Sequence, residues 1–481
     1  MIERIELAPG LEIPRLVTGL WQVADMERGG KALDPVRAAA ALAQYAQAGF
    51  DAFDMADHYG SAEVITGHLL ASGVQARAFT KWCPEPGAMT PDVVRAGVER
   101  ARTRLRSECI DLMQFHWWTF EHPGYLDALT ELAALRSEGL IEQLGLTNFD
   151  TAHLRLLLAQ GVPIVSNQVC FSLLDRRAAG PMSKLCQERG VKLLAYGSLG
   201  GGFLSERWLG APEPAEVGDW SKMKYRRFIA QIGGWSALQA VLRAAQRIAG
   251  KHGVSIANVA TRWVLEQPAV AAVIVGARLG ESEHRGDNQR VFDFALDDGD
   301  RAWLDEAFAA TQEIPGDCGD EYRKPPFLTA SGDLSHHLSG LKQAYEKTAV
   351  PERAERWRVD SGSVWEPLAG YSRALRQDKH VYVAGTTATH GQGMVVAPED
   401  AGAQATYILD KIAASLSALG AGIEDVVRTR VYLRDVADWE AVAREHGRVF
   451  ADVRPVNTML QAGALIGADY RVEIEAEAII R

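Results

Sequence analysis

Four residues stand at or just beyond the ends of three separate apolar runs: Asp54 and Tyr59 in FDMADHYG, Lys81 in AFTKW, and His116 in DLMQFHWW. An acid, a phenol, an amine and an imidazole are the groups that proton-coupled carbonyl chemistry needs. Hydride addition to a carbonyl leaves an alkoxide that must take up a proton. A tyrosine, with a pKa of about 10, is a reluctant donor. A neighbouring ammonium favours the phenolate and draws that pKa toward neutrality, and a carboxylate holds the ammonium in place. An imidazole can hydrogen-bond the carbonyl oxygen and fix its position. Any one of these residues alone is more often a turn or packing residue. Their recurrence just past consecutive apolar runs gives them meaning.

The elements that would position them alternate regularly. From residue 15 to about 295, eight short apolar runs appear: LVTGLW, AFDMAD, AFTKW, DLMQFHW, EQLGLTNF, PIVSNQV, VKLLAY and AAVIVG. Amphipathic stretches such as 35–48, 91–106 and 125–137 separate them. Gly49, Gly139, Gly161 and Gly190 each follow a helical pattern and precede an apolar run, where a C-terminal helix cap belongs. Strand then helix, eight times over, predicts a (β/α)8 TIM barrel rather than an open doubly wound sheet. A dinucleotide-binding Rossmann fold would place GxGxxG after the first strand, and LVTGLWQVADMERGG lacks it. In such a barrel the strand ends converge on one mouth, which brings Asp54, Tyr59, Lys81 and His116 together. A Gly-, Pro- and Trp-containing insert over 197–235 has the length of a functional lid. Trp21, Trp117 and Trp118 cluster at strand ends and are expected to line an apolar substrate pocket.

The character changes near residue 356. HVYVAGTTA, VVRTRVYLRDV, NTMLQAGALI and RVEIEAEAII read as strands. Two helices lie between them: one over 400–419 with Ile408, Leu409, Ile412, Leu416 and Leu419 on one face, and one beginning at an Asp438 N-cap. The expected organisation is a barrel over 1–320, a linker over 321–355 and a small α+β domain over 356–481.

Bulk properties exclude other classes. The chain has 481 residues, a formal charge of -11, 47 % hydrophobic residues and 23 % charged ones. That acidic balance, with no basic block, argues against nucleic acid as a partner. No run of 18 apolar residues predicts a membrane span. The N-terminus mixes acids and bases from residue 3 and does not read as a signal peptide. Five scattered cysteines without CxxC read as reduced thiols, so a cytoplasmic location is expected. No HExxH or CxxC motif points to a metal, and His336–His337 reads as a solvated linker pair.

Residues 1–320 resemble the aldo-keto reductase family. The resemblance rests on FDMADHYG, FTKW, QFHWW, GLTNF, SNQVCFSLL, LLAYGSL and VIVGARLG…DN, in that order. It implies NADP(H), in preference to NAD(H), extended across the barrel mouth. It implies Thr147, Asn148 and Gln168 on the carboxamide and Tyr196 stacked on the nicotinamide. Gly197, Ser198 and Leu199 would lie near the pyrophosphate, and Gly276, Arg278, His284, Asp287 and Asn288 around the adenosine end. Arg278 suits a 2′-phosphate through forked, charge-assisted bonding. The expected activity is reduction of an aldehyde, ketone or sugar with Tyr59 as proton donor. The alternatives are oxidation of an aldose or pyridoxal-like alcohol, or a bifunctional reductase and imine deaminase.

Residues 356–481 resemble the reactive-intermediate deaminase (YjgF-like) family, whose members form trimers with clefts between subunits. In its deaminating members an Arg two residues after a strand Pro binds the substrate carboxylate. Here RPVNT puts Asn457 in that place, and an amide cannot supply a bidentate cation. The domain is therefore expected to make a homotrimer or to bind a small ligand. Truncation near residue 340 is expected to leave an active monomeric barrel.

Overall fold

The computed structural model describes residues 2–23, 29–324 and 342–481. His336 and His337, with residues 325–341 of the expected linker, lie outside the described residues. Eight parallel strands close a barrel in chain order: β1 (Leu16–Gly19), β2 (Ala52–Asp54), β3 (Arg77–Trp82), β4 (Ile110–His116), β5 (Ile141–Thr147), β6 (Ile164–Cys170), β7 (Lys192–Tyr196) and β8 (Val270–Gly276). Each corresponds to one of the apolar runs. Such strands are buried on both faces, so they read as continuous hydrophobic stretches. Around them lie α1 (Pro35–Gln47), α2 (Ala62–Ala71), α3 (Pro91–Leu105), α4 (Gly124–Ser137), α5 (Thr151–Ala159), α6 (Pro181–Arg189), α7 (Trp220–Gln231), α8 (Trp235–His252), α9 (Ile256–Leu265) and α10 (Asp298–Ala309). Asp34, Thr90, Asp150 and Ser255 cap α1, α3, α5 and α9 by accepting from backbone N–H groups.

The register steps the site residues around one rim. Gly19 pairs with Asp54, Lys81 with Gln114, His116 with Thr147, and Thr147 with Gln168. The opposite end is closed by an antiparallel hairpin, Arg4–Ala8 with Leu11–Pro14, turning at Gly10 (φ 83°). Leu7, Leu11 and Ile13 pack on Phe79, Leu112 and Leu194 inside the barrel. The rim that carries these residues is thus the open end of the described barrel.

The C-terminal part forms a seven-stranded sheet: β9 (Lys347–Ala349), β10 (Arg356–Val359), β11 (Ala374–Gln377), β12 (His380–Thr387), β13 (Val426–Leu433), β14 (Val456–Gln461) and β15 (Val472–Ile479), in the spatial order β9-β10-β11-β12-β15-β13-β14. Helix α11 (Ala401–Ala418) packs on the sheet, and α12 (Trp439–Phe450) packs on α11. Asp438 holds the N-cap position of α12 as expected, but its side chain makes no cap hydrogen bond and pairs instead with Arg471 at 3.1 Å, while Asp435 caps the preceding turn.

The two domains share a packed boundary. Helix α11 buries sixteen of its eighteen residues, not one face only, because it lies between its own sheet and barrel helix α5. A Cβ at Gly402 would lie 2.8 Å from an Arg155 nitrogen, so glycine there permits the close approach. Arg155 forks onto Asp400 at 2.7 and 2.8 Å. His153 bridges Asp150 (2.7 Å) on its own domain and Asp410 (3.0 Å) on the other, with Phe120 stacked on its ring at 3.4 Å. The Tyr125 hydroxyl also donates to Asp410, at 2.9 Å. Cutting the chain near residue 340 would strip this cover from α5, so the packing speaks against a freely separable barrel. Among the described residues no helix is long and apolar enough to cross a membrane.

Candidate active site

Asp54 closes β2 in the middle of a saturated network. Its Oδ2 accepts from Lys81 Nζ at 2.6 Å, and its Oδ1 accepts from the amides of Gln114 (2.9 Å) and Gln168 (2.7 Å). Lys81 also donates to the Met55 carbonyl at 3.0 Å. A buried ion pair offsets its desolvation only when its remaining polar atoms are bonded, as they are here. Tyr59, on the turn after β2, sets its ring 5.2 Å from the Lys81 ammonium and edge-on to Trp21 at 4.8 Å. His116 closes β4 and is buried, with Nε2 bonded to no protein atom. Burial pushes its imidazole well below the ordinary value, and the charges of Arg323, His58, Lys81 and Lys224 act in the same direction. A neutral ring with one N–H facing a cavity is suited to hold a carbonyl oxygen.

That cavity, about 560 Å³ in volume, is lined by all four residues. Trp21 and Trp118 also line it. Trp117 does not: its ring is buried against Phe115 at 5.6 Å, and its Nε1 donates to the His122 carbonyl. Successive side chains leave a strand in opposite directions, so His116 and Trp118 face the mouth and Trp117 faces the core.

The expected cofactor residues meet at the same rim. Thr147, Asn148, Gln168, Tyr196, Gly197, Ser198 and Leu199 line the cavity, and so do Gly276, Arg278, His284, Asp287 and Asn288. Thr147 Oγ1 and Ser198 Oγ are buried without a partner. Buried polar atoms are rarely left so, and these two fit a carboxamide and a phosphate oxygen. Gly197 has φ 73°, and a Cβ on it would meet the Tyr225 hydroxyl at 2.2 Å, so only glycine fits that turn. Arg278 is partly exposed, 3.7 Å from Asp219. Asp287 also accepts from Ser255 and Asn258, which ties it to the start of α9. Asp57, His58 and Cys83 bring potential ligand atoms within 4.8 Å at the rim, although the sequence carried no metal motif.

Some lining residues are absent from the sequence reading. The 197–235 insert builds a wall with Trp208, Ser221, Lys222, Lys224 and Tyr225 rather than forming a loose flap. The segment around 320–323 folds back over the rim. There Tyr322 lies 5.4 Å from the His116 ring, and Arg323 donates to the carbonyls of Trp117 and Asn148. The aromatic and charged run DEYRK was the available signal, masked by the Gly/Pro-rich stretch around it.

An acid–base tetrad at the C-terminal mouth of a closed (β/α)8 barrel, beside a long cleft with unpartnered polar atoms, defines an oxidoreductase-type barrel. The chain belongs to the aldo/keto reductase family, whose model matches residues 15–309. A second model, described as Endoribonuclease L-PSP, the YjgF-like family, matches residues 363–480. The flagellar radial spoke protein 5 of Chlamydomonas reinhardtii is 35 % identical over 204 residues, which is 36 % of this chain and 38 % of that protein. An uncharacterized protein of Streptomyces coelicolor is 40 % identical over 121 residues, 25 % of this chain and 90 % of its own length. Among solved structures, a glycerol dehydrogenase from Gluconobacter oxydans superposes with a TM-score of 0.53 at 24 % identity, over 66 % of this chain and 97 % of that one. At that identity the likeness speaks for the fold alone.

Proposed function

We propose that the chain reduces an aldehyde, ketone or sugar carbonyl with NADPH, Tyr59 delivering the proton. The observation that carries this reading is the Lys81–Asp54 pair at 2.6 Å set beside the Tyr59 ring, with the unbonded His116 Nε2 on the same cavity. Bound nicotinamide supplies the hydride. The chain's residues do the rest. His116 and the Tyr59 hydroxyl hold the carbonyl oxygen, Tyr59 passes its proton to that oxygen, and the Lys81 ammonium stabilises the phenolate left behind. Asp54 keeps Lys81 in position. Thr147, Asn148 and Gln168 would hold the carboxamide, and Tyr196 would back the ring. Arg278 on the same cavity supports NADP(H) over NAD(H).

The C-terminal domain would join three copies. Its β14 is an edge strand with Val456 and Leu460 exposed, and Tyr382 and Val427 are exposed on the sheet. A deaminase role is not favoured, since the Asn457 amide is bonded to Thr429 at 2.9 Å and offers no cation.

The test is Tyr59→Phe, assayed through nicotinamide absorbance on a carbonyl panel, with NADPH binding followed separately. General acid catalysis is worth about 10²–10⁴-fold, so activity should fall by that order while the cofactor still binds. Retention of more than about a tenth of kcat would rule Tyr59 out as the donor.

A further inference from the structure

Lys224, on α7, takes no part in the chemistry above. It is 8 % exposed, yet among the described residues no carboxylate lies within 4.0 Å of its ammonium. Its partners are two phenols, Tyr322 at 2.6 Å and Tyr196 at 3.5 Å. A buried ammonium is costly unless another charge answers it. Glu321 feels the Lys224 charge only beyond direct contact, its carboxylate being bonded to Arg177 at 2.8 Å and to the Tyr196 hydroxyl at 3.2 Å. Arg177 in turn is held by Asp175 at 2.7 Å. The cavity wall therefore holds a buried ammonium that is not directly paired with a carboxylate.

The geometry says where an anion would sit. The Tyr322 ring centre is 5.4 Å from that of His116, and Lys224 Nζ is 4.6 Å from the Tyr322 ring centre. These two legs bound the separation between the ammonium and the His116 ring at about 10 Å. A molecule whose carbonyl oxygen meets Tyr59 and His116 can reach Lys224 with a group several bonds away. Trp118, which also lines the cavity, has its ring centre 6.0 Å from that of Tyr322, so the span between is walled by aromatic surface.

Resting on the reading of this cavity as a carbonyl reductase's substrate site, we propose that the substrate carries a carboxylate remote from its carbonyl, bound by Lys224. A single compact ammonium matches one negative charge; a doubly charged phosphate would call for an arginine fork or a second cation.

The experiment compares 4-carboxybenzaldehyde with benzaldehyde, using NADPH, in wild type, Lys224→Met and Lys224→Arg. Wild type should favour the acid aldehyde in kcat/KM. Lys224→Met should lower that preference by at least about tenfold, the scale of one lost charge-assisted bond, and Lys224→Arg should keep most of it. Tryptophan fluorescence titration with 4-(hydroxymethyl)benzoate and with benzyl alcohol reads the same preference as binding, without turnover. If wild type reduces neither aldehyde but binds the benzoate in a Lys224-dependent way, the carboxylate site stands and the reductase reading fails. Equal losses on both aldehydes in Lys224→Met, a loss confined to the KM for NADPH, or a binding preference that survives Lys224→Met would each overturn the proposal.

Discussion

Replacing His153 with alanine tests whether the two domains are held by charge. The imidazole lies between Asp150 and Asp410 at 2.7 and 3.0 Å and is buried with them. Burial alone would lower its pKa, but the two carboxylates outweigh it and leave the value raised. Burial would likewise raise Asp150, yet the His153 charge holds it well below the usual carboxylate range. Truncation leaves two buried carboxylates without their shared cation. Breaking a buried pair costs about 3–5 kcal/mol, and the lost stacking on Phe120 adds about 0.5–1.5 kcal/mol. The Tyr125 hydroxyl on Asp410 and the His153 backbone N–H on Asp150 soften the loss, so about 4 kcal/mol is expected. The assay is urea unfolding followed by tryptophan fluorescence. A folded pKa raised above the unfolded one gives stability that is full below about pH 6.5 and is lost as pH rises through the folded value. The difference between wild type and His153→Gln should therefore be largest near pH 6 and shrink as pH rises through the raised folded value. A loss under about 1 kcal/mol, or a difference that ignores pH, would refute a charged bridge.

Lys81→Met should lower kcat by about 10²-fold or more and cost about 3 kcal/mol of stability, because Asp54 keeps only its two amide donors; activity and urea unfolding check both. Arg278→Ala should weaken NADPH by about 1.5–3 kcal/mol and leave NADH little changed, with the pull of Asp219 placing the loss near the lower figure; cofactor titrations separate the two. Light scattering should give about three times 52.4 kDa for the full chain, and Leu460→Glu on the exposed edge strand should shift it toward the single-chain mass.

The barrel was legible because buried parallel strands appear as apolar runs and because its helices end in glycine. Gly49, Gly139, Gly161 and Gly190 all have φ between 71° and 92°, as capping requires. The tetrad was legible for a related reason, since its members sit at or just after those strand ends. The closing hairpin was not recognised, although its turn carries Pro9 and Gly10, because four- and five-residue strands offer too few alternations to count. Trp117 was misassigned by treating aromatic residues as one cluster where strand alternation separates them. The burial of α11 on every side could not be read at all. His153 and Asp410 are 257 residues apart, and nothing local tells a helix that its polar face will meet another domain.

Helix α11 belongs to two cores at once, which alters what the fusion can tolerate over time. A domain tethered by a linker can be exchanged for another with little consequence for its neighbour. Here a barrel from a relative would have to arrive with counterparts of His153, Arg155 and Tyr125, or leave Asp410 buried without those partners and Asp400 without its arginine. A change on either side of the boundary alters what the other must supply, and a recombined chimera should be judged first by whether it repairs this seam.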